Sequence, residues 1–562
     1  MPTVTPGAAV QPSTDARLRQ SSSAPGAMNR SEFEEALEAW SHAIGAEHVK
    51  ADPRTRDHYG RTTGVEARRP LAVLYPESTE QVREVLRIAS AQGIAVYPIS
   101  RGKNWGYGDA APVRENQVVL DLKRMNRIIE VNTQFCYAVI EPGVTQEQLY
   151  KYLKVNKTGL WMDSSGAGLD ASIVGNILDR GFGHTRYGDH CLTTCGMQVV
   201  LAGGEVLNTG MGHYPGARAH RTYRYGTGPF LDGIFTQSNF GVVTQVGVWL
   251  MPEPEAFSAF FLSAGEESLP DLVDRLAPLR LQGILQSTIH VGNDLRVLSG
   301  RMRYPWDRAG GRAPLPRELR AALCAEGAIG AWNVAGAIYG SRETVAATRK
   351  LLKRTLSKYR VTFLNDRTLA LAGRVQRFLS RFGLANGLGA RLESVKPVYG
   401  LLKGIPTDEP LHGAQWRVRG PVNPDSADPL DCNSGLMWVA PVLSASGGEA
   451  TRLVSLIEPI YEKHGFDALV TFTMITERAM ICVTNVAFDR RLPDEVARAR
   501  ACYEELTNRL AGEGYVSYRT GPAGMSKLDL SSSVFWDVSA RIKQALDPKG
   551  IISPGRYQPN AA

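Results

Sequence analysis

Apolar positions recur at helical spacing over residues 32–44, where Phe33, Leu37, Trp40 and Ile44 share a face and Ser31 can cap the start. Residues 71–75 form a short apolar run that predicts a buried strand. Residues 78–92 return to helical spacing, with Ser78 as cap and Val82, Val85, Leu86 and Ile88 as the apolar set. A second strand is expected at 94–97, three more at 118–122, 127–132 and 137–141, and a helix at 145–155. Strands at 197–201 and 205–208 flank Gly203-Gly204, which predicts a hairpin. The start is thus βαβ-like and the sequel β-rich. After Pro252 long helical stretches broken by strands run to about residue 509, and short motifs return beyond it. This pattern reads as α+β, with a second α+β domain. The polar 419–433 stretch is expected to be a surface or interface loop.

Glycine and serine cluster where strands end. The 94–97 strand runs into Pro98-Ile-Ser-Arg-Gly-Lys-Asn-Trp-Gly-Tyr-Gly, and a second glycine-rich block covers 166–190. Such a loop presents bare backbone N–H groups at close range, which suits phosphate. It has neither the Walker spacing nor the Gly-x-Gly-x-x-Gly spacing, so ATP and the common dinucleotide fold are not indicated. Read alone, the loop is either a ligand loop or a tight structural turn. In residues 236–244 polar positions precede an alternating apolar strand, as in a loop that passes a ligand and re-enters a sheet.

Composition narrows the class. The 562 residues are 43% hydrophobic and 21% charged, ordinary for a soluble globular protein of several domains. A net charge of +8 is a mild excess spread along the chain, and no basic run interleaved with aromatics points to nucleic acid. No apolar run reaches bilayer length, so a membrane protein is not expected. The seven cysteines are scattered, without a metal-binding spacing, and read as thiols of a reducing compartment. That favours the cytoplasm, with the periplasm as the alternative. No metal is expected.

Taken in order, seven strings resemble the vanillyl-alcohol oxidase/p-cresol methylhydroxylase family of flavoproteins. They are the 98–108 loop, Val119-Leu-Asp-Leu-Lys-Arg-Met-Asn, Glu141-Pro-Gly-Val, Ser172-Ile-Val-Gly-Asn, Tyr187-Gly-Asp-His, Gly210-Met-Gly and Tyr518-Arg-Thr. The resemblance runs from about residue 55 to Tyr557. It implies an FAD-binding domain of the p-cresol methylhydroxylase type, made of two α+β subdomains, with an inserted α+β cap domain. The expected boundaries are a disordered extension at 1–28, FAD-binding parts at 29–255 and 510–562, and a cap at 256–509. The resemblance assigns FAD to Pro98, Ser100, Arg101, Gly102, Lys103, Asn104, Gly108, Ser172, Gly175, Asn176, Gly241, Val243 and Arg556. It assigns Tyr107, Tyr518 and Arg519 to the oxygen of a para-substituted phenol. Two phenolic donors and a permanent guanidinium suit a phenolate, whose neutral form has a pKa near 10. Phenolate electron density then drives hydride from the benzylic carbon to the flavin, leaving a quinone methide. The implied activity is that of a 4-cresol dehydrogenase in aromatic-compound metabolism, with a cytochrome c as acceptor and a homo-oligomeric state. The alternatives are an oxygen-using oxidase and an oxidoreductase of non-phenolic alcohols.

The chain departs from the family in three places. Leu436 stands where the oxidase branch carries the histidine that bonds its flavin, and the 410–417 segment offers no tyrosine for the other linkage; His412 there is either a surface histidine or a substitute link, and FAD is expected to be non-covalent. The acid expected before the Ser172 string is displaced; Asp170 is the nearest candidate base, or else a local turn acceptor. His184 and Arg186 replace an aromatic residue and a proline, and His184 is either a structural histidine or a proton shuttle.

Overall fold

The computed structural model describes residues 30–380, 388–423, 426–528 and 534–558. The extension expected at 1–28 lies outside them. A four-stranded sheet opens the fold, in the order Val49–Lys50, Val73–Leu74, Gln117–Asp121, Ala95–Ile99, and its last two pairings are parallel. Helix Thr79–Gln92 makes the crossover. Ser78 accepts from the Gln81 N–H, Val82, Val85, Leu86 and Ala89 are buried, and Gly93 ends the helix at φ 66°. The strand expected at 94–97 continues to Ile99 and carries Pro98 within it. Proline is tolerated there because this is the sheet's edge. That edge is covered by the end of the chain: the Val96 N–H donates to Ile551 O at 2.8 Å, and Val96 O accepts from Ser553 N–H at 2.8 Å.

The second sheet has five strands in the order Ile128–Asn132, Tyr137–Ile140, Val242–Trp249, Thr194–Val200, Val206–Asn208, all antiparallel. Its core packs against Leu149 and Leu153 of helix Gln146–Val155, which Thr145 caps. Between these elements lies a helix the glycine-rich block concealed, Ile173–Leu178, with Ser172 as its cap.

Residues 256–489 supply an eight-stranded antiparallel sheet in the order Thr362–Leu364, Ala256–Ala264, Trp332–Gly340, Ile289–Asn293, Thr471–Met474, Ala479–Asp489, Ser434–Val439, with Val442–Ser444 beside Ala479–Asp489. Side chains alternate across it. Val291, Phe472, Cys482, Val486 and Met437 pack beneath helices Leu269–Leu281, Gly447–Lys463 and Pro493–Gly512. The register puts His290, Thr473, Asn485 and Trp438 on the opposite face. From the described part of the 419–433 stretch, Asp428 reaches the first glycine loop and meets Lys103 at 3.0 Å. Among the described residues, no helix is long and apolar enough to cross a membrane.

Candidate active site

Tyr107 lies in the turn after strand Ala95–Ile99. Asn104 O accepts both the Tyr107 N–H at 3.0 Å and the Asp109 N–H at 3.1 Å. Asp109 anchors the turn from inside, accepting from the Thr62 hydroxyl at 2.8 Å and the Thr63 N–H at 2.7 Å; burial outweighs these bonds and pushes its carboxyl up to about 6. Gly106 holds φ 72° with its α-carbon against the cap, since a Cβ there would lie 2.4 Å from Trp438 Cδ1.

Tyr518 and Arg519 come from the segment after helix Pro493–Gly512. The Tyr518 N–H donates to Ala440 O at 3.0 Å, and Gln237 Nε2 donates to Tyr518 O at 2.9 Å. These bonds tie the segment to both the cap sheet and the second sheet. The Arg519 guanidinium carbon sits 3.9 Å from the centre of the Tyr107 ring and 5.3 Å from that of Tyr518. Burial raises the Tyr107 hydroxyl well above its usual 10 and also raises Tyr518, so both remain donors at neutral pH. Burial opposes the charge of Arg519, but Tyr518, Tyr107 and Asp179 outweigh it and its pKa is raised. Arg519 Nε is buried and has no partner among the described residues. Two hydroxyl donors and a guanidinium whose Nε is unpartnered thus lie together, a donor set of the kind that suits an oxygen anion.

Beside this trio Asp179 collects three segments. It accepts from Asn104 Nδ2 at 2.8 Å, it pairs with Arg556, and its backbone carbonyl accepts from Gln237 Nε2 at 3.1 Å. Arg556 also donates to the Tyr97 hydroxyl at 3.1 Å. Within helix Ile173–Leu178, which Asp179 follows, Asn176 Oδ1 meets His190 Nδ1 at 2.6 Å, and His190 Nε2 meets Asp163 at 2.5 Å. Burial alone would raise Asp163, yet the His190 contact and the Thr185 N–H hold it below the usual range. The His184 ring lies 4.6 Å from that of His290, and burial lowers both. His184 Nδ1 lies 3.0 Å from Ser164 O.

The structure draws together Tyr107, Tyr518, Arg519, Asn104 and Arg556. Ser100 approaches Gly175 closely enough that a Cβ on the glycine would sit 3.3 Å from it. Gly102 and Gly108 hold φ 67° and 111° in the same loop. The Ser172 hydroxyl is engaged as a cap, accepting from the Gly175 N–H at 2.9 Å and donating to Pro142 O at 2.5 Å. Pro98 is paired within its strand, opposite Leu120. Gly241 backs onto Val199, and the Val243 side chain is buried in the second sheet's core, so Val243 offers only its backbone. Asp170 stands apart: its side chain is half exposed and pairs with Arg101, with Lys103 3.8 Å away. It ties two loops together, whereas Asp179 and the side chain of Asp163, like Asp109, are buried. Neither was legible in advance, because each lies in a string without a recognisable spacing.

A family model described as FAD binding domain matches residues 70–210. The 1'-carboxy-chondrochloren decarboxylase of Chondromyces crocatus is 36% identical over 94% of this chain and 98% of that protein. The 4-cresol dehydrogenase (hydroxylating) flavoprotein subunit of Pseudomonas putida is 33% identical over 95% of this chain and 96% of its own. A solved structure of p-cresol methylhydroxylase with substrate bound superposes with a TM-score of 0.84 at 31% identity, covering 94% of this chain and 98% of that one.

Proposed function

Because the chain belongs to the vanillyl-alcohol oxidase/p-cresol methylhydroxylase family and is an FAD-dependent oxidoreductase of that type, we propose that it oxidises para-substituted phenols, 4-alkylphenols or 4-hydroxybenzyl alcohols, at the benzylic carbon. The observation that carries this reading is the convergence of Tyr107, Tyr518 and Arg519, with Arg519 Nε left without a partner. The two hydroxyls and the guanidinium would hold the substrate oxygen as phenolate. Both tyrosines are protonated at neutral pH, so neither competes with the substrate for negative charge. Burial of Tyr107, 4% exposed, keeps water from screening that charge.

The residues present fit FAD. The open backbone of the 98–104 loop, the close Ser100–Gly175 approach, Asn104, Asn176 and the guanidinium of Arg556 would hold it, with Arg101 and Lys103 as cations for its phosphates. When bound, the flavin supplies the acceptor for hydride. On this reading residues 29–255 and 510–562 form the FAD-binding domain and 256–509 the cap. The name "flavoprotein subunit" of the Pseudomonas relative supports a partner subunit, which on the family resemblance is a cytochrome c acting as acceptor. The name of the Chondromyces relative keeps loss of a carboxyl group as a second reading of the reaction.

Turnover of 4-cresol, 4-ethylphenol and vanillyl alcohol, measured with a one-electron dye and with oxygen alone, tests the reading. Oxidation with the dye but not with oxygen supports a dehydrogenase; fast turnover in oxygen alone would make it an oxidase. No turnover of any of the three would remove the phenol assignment.

A further inference from the structure

Arg296 presents a charge that the phenol anchor does not use. It follows strand Ile289–Asn293, and its Nη2 donates to Asn485 Oδ1 at 2.9 Å and to Leu469 O at 3.1 Å. Its guanidinium carbon lies 5.4 Å from the centre of the Trp438 ring. Trp438 and Asn485 are cross-strand partners, so all three groups share the sheet face that carries His290 and Thr473, away from the helices.

Buried cations normally face a carboxylate. Among the described residues Arg296 donates to carbonyl and amide oxygens and to no carboxylate: the neighbouring Asp294 is engaged by Arg320 at 2.7 and 2.5 Å, and Asp467 takes Trp416 Nε1 at 3.0 Å and the Leu315 N–H at 2.8 Å. Two donors on this face are left over. Arg296 Nε and Asn485 Nδ2 are both buried without a partner among the described residues, and Asn485 is 1% exposed. Asn485 Oδ1 already accepts from Arg296, which leaves its amide N–H groups as donors. The Nε–H of a guanidinium and the N–H groups of an amide, left without acceptors on one face, make a donor pair suited to a small anion with two oxygens.

Its position gives the anion a context. In strand Ser434–Val439 Trp438 meets Arg296, and just past the strand's end the Ala440 carbonyl accepts the N–H of Tyr518. The unpartnered donors and the phenol anchor thus attach to neighbouring residues of one chain segment. We propose that Arg296 and Asn485 bind a carboxylate carried by the para side chain of the substrate, an inference that rests on the phenol reading above. The preferred substrates are then 4-hydroxyphenyl alkanoates rather than plain 4-alkylphenols.

The holoenzyme is mixed anaerobically with 4-ethylphenol or with 3-(4-hydroxyphenyl)propionate, and the concentration dependence of flavin reduction is followed. The expected result is half-saturation by the propionate at a concentration at least about tenfold lower, the size of one charge-assisted contact. Arg296→Met should bring the ratio between the two substrates close to one, and Arg296→Lys should recover part of it. Equal half-saturation in the unaltered protein would overturn the subsite while leaving the phenol reading intact, and needs no variant to fold. Loss of FAD from Arg296→Met together with an unchanged substrate ratio would also overturn it, since the guanidinium would then serve the cofactor. Failure of both compounds to reduce the flavin would remove the phenol reading itself, and the subsite with it.

Discussion

The guanidinium carbon of Arg519 stands 3.9 Å from the centre of the Tyr107 ring, although one residue follows a cap helix and the other ends the first βαβ turn. The contact orients a permanent charge beside a buried hydroxyl and leaves Nε without a partner. Charge-assisted donors of this kind strengthen most where charge develops in the reaction.

Arg519→Gln should therefore lower kcat/KM for 4-ethylphenol on the order of 100-fold or more, the usual loss for one donor to a developing anion. Tyr107→Phe should cost about tenfold or more. Steady-state kinetics on protein of unchanged FAD content checks both. Equal rates in the variants would mean that the trio is structural.

Asp179 binds the first glycine loop through Asn104 and the chain's end through Arg556. Asp179→Asn leaves Arg556 without its counter-charge in a poorly hydrated place, and should cost about 3 kcal/mol of stability. Urea unfolding of the FAD-free protein measures it. A loss within about 0.5 kcal/mol, the range of ordinary surface substitutions, would assign the hub no stabilising role.

Much of this fold could be read from periodicity and punctuation. Ser78 and Gly93 bracket their helix as their residue types suggest, and the Tyr107 loop stands out by its glycines. Helix Ile173–Leu178 escaped because it is short and sits among glycines; Ser172 before Ile173, Val174 and Ile177 was its signal. Tyr107, Tyr518 and Arg519 were legible only through family resemblance, since a lone Tyr-Arg pair has no periodicity. Asp179, Asp163 and Arg296 were not legible, because their meaning depends on partners brought in from other strands and from the end of the chain. Asp170, a candidate base or turn acceptor by its place in the sequence, pairs with Arg101.

Leu436 is 2% exposed and packs with Trp105, Leu411 and Leu430, offering no nucleophile where the oxidase branch carries its histidine. His412 forms a surface pair with Glu409 at 3.3 Å. Acid precipitation should accordingly release the flavin into the supernatant as intact FAD. Colour retained in the pellet would establish a covalent bond.

His184 and His290 stack in the interior, and burial holds both below their usual 6.5. Below pH 6.5 the unfolded chain takes up protons that the folded one refuses. The contribution of the pair is therefore complete above that pH and is lost as the pH falls towards their folded values. The slope is at most about 1.4 kcal/mol per pH unit for each histidine. Denaturant midpoints at pH 7.5 and 5 should differ less in His290→Gln than in the unaltered protein. An equal difference would contradict the assignment.

The most direct measurement compares 4-ethylphenol with its methyl ether, 4-ethylanisole, as anaerobic reductants of the bound flavin. The ether keeps the ring and the benzylic carbon but cannot ionise. Bleaching of the flavin by the phenol and none by the ether is the predicted result, since Tyr107, Tyr518 and Arg519 act on a phenolate oxygen. Reduction by both compounds, or by neither, would contradict it.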